Sequence, residues 1–253
     1  PRDHLFEQLP PLSVWGSSYI ITPLAQPPGA PGVLGAYDLY RVIAAYDNTI
    51  VKFNDVVIAR LNRNQIFEAP LTAAGLLTAS NKVCVALLKR SSSDGSGALF
   101  NGDPFMLIVP PRAQYLQRYR FTNCQVGSVY ASQYVTVITA QTNSSSITLD
   151  GQPLITTWRA VPNTCYVYAN IEMNDGVHTL QSPRLFGLYV YGYGPAISYG
   201  YVGGMAFVPD VGDDAVTAGN DRDICIGDTA IIAATGKAVW LKWSALRSSI
   251  KIR

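Results

Sequence analysis

The sequence predicts an all-β chain built from two tandem, related antiparallel β-sandwich units. Three observations carry this. Strand-type runs follow one another with scarcely a helical period between them. The turns between the runs use residues that tolerate positive φ. One series of strand, polar turn, strand and tight hairpin occurs twice.

The runs come first. Tyr40-Arg41-Val42-Ile43-Ala44-Ala45-Tyr46 is of β type; Asp47-Asn48-Thr49 ends it and Ile50-Val51-Lys52-Phe53 resumes. Tyr134 to Thr139 is another alternating run. The turns come second. Asn54-Asp55 leads into Val56 to Leu61 and predicts a two-residue hairpin, because both residues accept a left-handed backbone. Ser146-Ile147-Thr148-Leu149 runs into Asp150-Gly151, a strong hairpin signal. Helical candidates are few: Asp3 to Leu9, capped by Asp3, and Pro110 to Tyr119, with Gln114, Tyr115 and Arg118 on one side. The pairs Pro10-Pro11 and Pro110-Pro111 keep both short.

The repeat comes third. Val42 to Ala45, Asp47-Asn48-Thr49 and Val51 to Asp55 match Val137 to Ala140, Thr142-Asn143-Ser144 and Ile147 to Gly151 in order. Ser80 to Val85 resembles the stretch from Ser182 to Tyr189. The spacing is that of one sandwich, about 100 residues. Residues 1–110 are read as the first unit and 111–208 as the second, joined near Asp94 to Pro111. Residues 209–253 are read as a linker and a further, partial unit. Pro27 to Gly32 reads as a long hairpin loop and is also a candidate binding loop.

Composition narrows the function classes. Charged residues make up 14% of the 253 residues, against about 25% for an ordinary soluble domain. A net charge of +2 and the lack of a Lys/Arg run argue against nucleic acid. No apolar run is long enough to span a bilayer. With two His and no C-x-x-C, Cys84, Cys124, Cys165 and Cys225 do not suggest zinc; disulfides and buried thiols both fit them. No Gly-x-Ser-x-Gly elbow or Ser-His-Asp order occurs, and Asp103, Asp94 and His4 form no acid–base pair of visible spacing. Gly102-Asp103-Pro104 reads as a turn. The chain is therefore expected to be non-enzymatic and without cofactor. The one metal candidate is calcium at Asp210, Asp213, Asp214, Asp221, Asp223 and Asp228, where the spacing is not that of an EF-hand and a solvated linker is the competing reading.

Two further features are site candidates. Tyr189, Tyr191 and Tyr193 alternate, as do Tyr199 and Tyr201, which puts each set on one strand face. That face is either packed inside the domain or presented to a glycan or a neighbouring subunit. Asn143-Ser144-Ser145 is an N-x-S sequon in a polar turn and Asn163-Thr164-Cys165 the rarer N-x-C form; each is a glycan acceptor or an unmodified turn.

Several motifs in fixed order carry a family resemblance. They are Asp3-His4-Leu5-Phe6-Glu7-Gln8-Leu9-Pro10-Pro11 with Trp15-Gly16, Asp47-Asn48-Thr49, Gly102-Asp103-Pro104-Phe105-Met106, Gln114-Tyr115-Leu116 and Tyr119-Arg120-Phe121. Asp150 to Leu154, Gly176 to Leu180, Phe186 to Gly194 and Ser198 to Gly204 complete the set. Across residues 3–204 the chain resembles the IgGFc-binding protein N-terminal domain family. The resemblance implies an extracellular β-sandwich module of mucin-like secreted proteins and large bacterial surface proteins. It brings no catalytic residues and no antibody-binding residues. It also implies an oxidising compartment, with Cys124 and Cys165, in the middle of the match, as the disulfide candidates.

The tail, from Ala215-Val216-Thr217 through Ile224-Cys225-Ile226-Gly227-Asp228 to Val239-Trp240-Leu241-Lys242-Trp243-Ser244, resembles the start of the Ig-like or PKD-like repeats of bacterial adhesins. Half such a module exposes an apolar edge. Either the chain continues beyond Arg253, or a neighbouring chain supplies strands. Pro1 opening in mid-motif likewise suggests a processed or truncated piece. The expected function is a structural or adhesive module of a cell-surface protein, matrix component or filament that self-associates or packs on like modules. The alternative is a glycan- or host-protein-binding module acting through surface loops.

Overall fold

A computed structural model describes residues 5–26, 38–90, 102–124 and 129–208. All belong to the first of two compact units, Pro1–Val208; the second, Pro209–Arg253, lies outside the described residues, and with it the partial Ig-like repeat, Cys225 and the candidate calcium ligands. The loop Pro27 to Gly32 and the residues Asp3, His4 and Asp94 also lie outside.

The fold is nearly all-β, as the sequence predicts, with two curled antiparallel sheets consistent with β-sandwich architecture. The first sheet holds β1 (Gly16–Ile21), β2 (Asp38–Ala44), β3 (Thr49–Phe53), β4 (Val56–Leu61), β5 (Ile66–Leu71), β6 (Gly75–Lys89) and β7 (Phe105–Val109). The second holds β8 (Leu116–Thr122), β9 (Ser132–Ala140), β10 (Thr148–Leu149), β11 (Gln152–Pro153), β12 (Arg159–Ala160), β13 (Tyr166–Glu172), β14 (Val177–Gly194) and β15 (Ile197–Val202). Both predicted hairpins form. Asn54 and Asp55 have φ of 48° and 65°, and Asp150 and Gly151 have 51° and 81°. Each turn closes the same way, with Asn54 Oδ1 accepting from Leu76 N–H and Asp150 Oδ1 from Thr179 N–H.

The two sheets share one wiring. In the first, β6 pairs with β1, β2, β3 and β7, β2 with β5, and β3 with β4. In the second, β14 pairs with β8, β9, β10 and β15, β9 with β13, and β10 with β11, while β12 is an addition on β13. Registers correspond too: Ile43 faces Cys84 as Ile138 faces Gly187, and Ser18 faces Thr78 as Arg118 faces Gln181. This places Val83 opposite Gly16 as Phe186 is opposite Leu116, one residue away from the match suggested by aligning Ser80 with Ser182.

The long strands explain the curl. The start of β6 pairs with β1 and β3, and its end with β2 and β7. The start of β14 pairs with β8 and β10, and its end with β9 and β15. Registers shift where β14 leaves β8, between Gln181 and Phe186, so one strand serves two layers. A buried tyrosine pins each bend. Gly16 N–H donates to the Tyr19 hydroxyl (3.1 Å), which donates to the Val83 carbonyl (2.5 Å). Leu116 N–H donates to the Tyr119 hydroxyl (3.0 Å), which donates to the Phe186 carbonyl (2.5 Å). Each tyrosine follows a short 3-10 turn, Leu12–Val14 or Arg112–Gln114, set by the preceding proline pair. The helix expected over Pro110 to Tyr119 is thus only this turn, because Tyr119 and Phe121 alternate inward along β8. No helix forms over Leu5 to Leu9.

Candidate functional site

The alternating tyrosines lie inside the molecule. Tyr189, Tyr191 and Tyr193 are fully buried, in the same core as Tyr40, Val42, Val85 and Leu87 of the first sheet. Phe186, Leu188 and Val190, of opposite parity along β14, point the other way, into a core with Tyr119, Val135 and Val137. Of the two readings of Tyr189, Tyr191 and Tyr193, packing inside the domain holds and the outward interface is corrected: both faces of this part of β14 are covered. Tyr199 and Tyr201 are half-buried, and their hydroxyls are engaged within the chain. Tyr199 donates to Gln133 Oε1 (2.6 Å) and accepts from Cys124 N–H (3.2 Å); Tyr201 donates to the Thr122 carbonyl (2.6 Å). Burial pushes the Tyr199 hydroxyl up to about 12.

What covers the tyrosine face is the end of β1 and the strap that follows it. Tyr189 donates to the Ile20 carbonyl (3.4 Å) and Tyr193 to the Ala25 carbonyl (2.8 Å), while Ala25 N–H donates to the Tyr191 hydroxyl (2.8 Å). Asn170 Nδ2 donates to the Pro23 carbonyl (3.2 Å). The strap is held from its other side by an ion pair of two buried side chains, Lys89 Nζ to Asp38 Oδ1 at 3.2 Å. Asp38 Oδ2 accepts Leu24 N–H (2.7 Å), and Lys89 also donates to Gln26 Oε1 (2.7 Å) and lies 5.9 Å from the Tyr193 ring centroid. Burial raises the Asp38 carboxyl above its ordinary range, opposed by the Lys89 charge and the Leu24 N–H. The pair and the tyrosines together bind one sheet to the other. No sequence motif announced the Lys89–Asp38 pair; the only available signal was a charge at each end of two apolar runs.

Asn143 is also interior, 1% exposed, with Nδ2 donating to Thr139 Oγ1 and Oδ1 accepting from Ser182 Oγ, both at 2.8 Å. An amide nitrogen so placed has no room for a glycan, so this sequon is a core bracket that ties the 3-10 segment Gln141–Ser146 to β9 and β14. Asn163 is exposed in a turn. Cys84 and Cys124 are thiols. Cys124 sits beside Tyr199 and Gln133, at the start of β9, whereas Cys165 adjoins Gln141 at its end. Nine residues of strand, about 26 Å, separate these ends. The Cys124–Cys165 bridge is therefore not formed. Burial pushes the Cys84 thiol up to about 12. Among the described residues no group of three or more His, Cys, Asp or Glu converges on a metal position, and no helix is long and apolar enough to cross a membrane.

Two kinds of surface are open. The first is apolar. Among the described residues β4 has a partner strand only on its β3 side, and it carries exposed Val56 and Val57 with no proline; Ile66, at the start of β5, is exposed beside them in sequence. The other edge, β5, is guarded by Pro70 and by the Arg41–Glu68 pair (2.6 Å). Leu5, Phe6, Leu9 and Leu12 add an exposed apolar arm before β1, where Phe6 is 88% exposed. The second kind is polar, on the layer formed by β8, β10 and the start of β14.

A family model described as "IgGFc binding protein" matches residues 1–192. Among curated proteins, the IgGFc-binding protein of Homo sapiens is 29% identical over 207 residues, which is 78% of this chain and 4% of that protein. The chain thus spans a small fraction of the length of the curated relative it matches. No solved structure matches.

Proposed function

The chain belongs to the IgGFc-binding protein family, and from that premise we propose that it is a non-enzymatic, extracellular structural and protein-binding module that packs against like modules through apolar sheet faces and edges. The observation that carries this is the burial of the β14 tyrosine face beneath the strap of the preceding sheet. One sheet already uses another as its binding surface inside the chain. The shared wiring and registers support descent of both halves from one unit, with the boundary near residue 110. The resemblance of residues 209–253 to the start of an Ig-like or PKD-like repeat supports service of this segment within a longer surface protein, matrix component or filament. Few charges and an unguarded apolar edge at β4 suit self-association.

Sedimentation at low and high salt with electron microscopy tests this. Self-association that persists in molar salt and yields end-to-end particles is expected, weakened by Val57→Lys. Isolated monomers at high concentration in both salts overturn it. The second reading, recognition of a glycan, is favoured by a specific polar surface.

A further inference from the structure

The outer face of the second sheet's first layer is polar by register. Thr148 lies opposite Gln181, and Gln181 opposite Arg118, so three side chains form a row across β10, β14 and β8. Around this row lies an open concavity of about 490 Å³, lined by Gln117, Arg118, Ser146, Thr148, Gln181 and Ser182. Arg120 stands two residues along β8, opposite Thr179 and on the same face as Arg118. Arg184 follows in the bulge of β14. These three arginines are exposed, and among the described residues none forms an ion pair or a side-chain hydrogen bond. Asp150, in the neighbouring turn, is already engaged by His178 Nδ1 (2.7 Å) and Thr179 N–H (2.7 Å).

The first sheet shows what this face does elsewhere. Its counterparts of Arg118 and Arg120 are Ser18 and Ile20, from the matched registers. Ile20 is fully buried and its carbonyl accepts the Tyr189 hydroxyl; Ser18 accepts from Arg112 Nη1. In the first half, then, this face is the contact with the second half. In the second half the apolar residue has become an arginine. Burying these guanidinium groups unpaired against another tyrosine face would be strongly unfavourable. This face is therefore unsuited to a second contact of that kind and is open to a charged ligand.

We propose that this face binds an anionic saccharide chain, one carrying sulfate or carboxylate groups. Guanidinium forks match both groups with paired hydrogen bonds. The Ser146 and Thr148 hydroxyls, the Gln181 amide and the Gln117 amide oxygen offer donors and acceptors suited to sugar hydroxyls, whereas the Ser182 hydroxyl is buried and already held by Asn143. An acidic peptide would use the arginines and leave most of the hydroxyl row idle, which favours the saccharide.

The full chain is tested by interferometry on immobilised chondroitin sulfate, polygalacturonate, neutral dextran and poly-glutamate. Binding to at least one of the two charged glycans and none to dextran is expected. Arg118→Ala should weaken it about tenfold, as loss of one charge-assisted contact implies, and Arg118→Ala with Arg120→Ala further. Thr148→Val, which leaves the charge unchanged, should weaken glycan binding severalfold, and Arg63→Ala, in the exposed turn between β4 and β5, should leave it as in the wild type. Thermal melts of all variants should match the parent, since the altered side chains lie on the surface. The proposal is overturned if neither charged glycan binds, if Arg63→Ala weakens binding as much as Arg118→Ala, or if poly-glutamate binds as tightly and Thr148→Val changes nothing.

Discussion

Tyr19→Phe and Tyr119→Phe should each cost the protein about 2 kcal/mol, and by nearly the same amount. Each hydroxyl is buried and makes two bonds, accepting one backbone N–H and donating to one carbonyl across the bend. A buried hydrogen bond contributes about 1 kcal/mol net, and the orphaned Gly16 or Leu116 N–H adds to the loss. The ring stays, so no cavity forms and apolar burial is unchanged. For a chain of this size 2 kcal/mol lowers Tm by about 4–8 °C. Guanidinium melts should show a lower midpoint at unchanged slope. The tyrosines belong to different cores, so the double variant should be additive within about 0.5 kcal/mol. A cost below about 0.5 kcal/mol for either variant, or a twofold disparity between them, would refute the equivalence of the two bends.

Lys89→Met should cost about 3–5 kcal/mol at pH 7, because it leaves the Asp38 carboxylate buried without its cation. Since the folded Asp38 pKa is raised, its neutral form is favoured by the fold; the loss should shrink at low pH and grow as pH rises through the folded pKa, a trend read by denaturation at pH 4 and pH 7. Asp150 has the opposite sign. Its carboxyl is held below the ordinary range by the His178 hydrogen bond and by Thr179 N–H, so its contribution is present above about pH 4 and fades as pH falls through the lowered value; Asp150→Asn at this partly exposed site should cost under about 1 kcal/mol at pH 6. Cys84, with a thiol near 12, should have a thiolate fraction of about 10⁻⁴ at pH 8 and resist iodoacetamide in the native protein while reacting in denaturant, as peptide mass mapping would show.

The hairpins were legible because they rest on local chemistry. Asn54-Asp55 and Asp150-Gly151 can adopt positive φ, and few other residue pairs here can. The direction of the tyrosine face was not legible. Along β14 the residues that alternate with the tyrosines, Leu188 and Val190, are as apolar as the tyrosines, so alternation marks two faces without saying which is covered, and both are. Asn143 misled for a related reason. A sequon describes a local pattern, while the burial of its amide depends on Ser182, which is 39 residues away. The polar row Thr148–Gln181–Arg118 joins three strands and exists only in register. The disulfide expectation failed on the same point, since the two cysteines fall at opposite ends of a strand that neither belongs to.

The strap over the tyrosine face sets a schedule for biosynthesis. Ile20 and Ala25 meet hydroxyls on residues 166 to 169 positions later in the chain. A ribosome that has finished the first sheet still has most of the second to make before Tyr189 exists. Throughout that interval the nascent strap carries an unclaimed apolar flank. Such distant closure slows folding and exposes the chain to the wrong neighbours. Shielding residues 20–26 until Tyr193 emerges would therefore favour correct folding, and truncations that stop short of β14 should emerge sticky rather than merely incomplete.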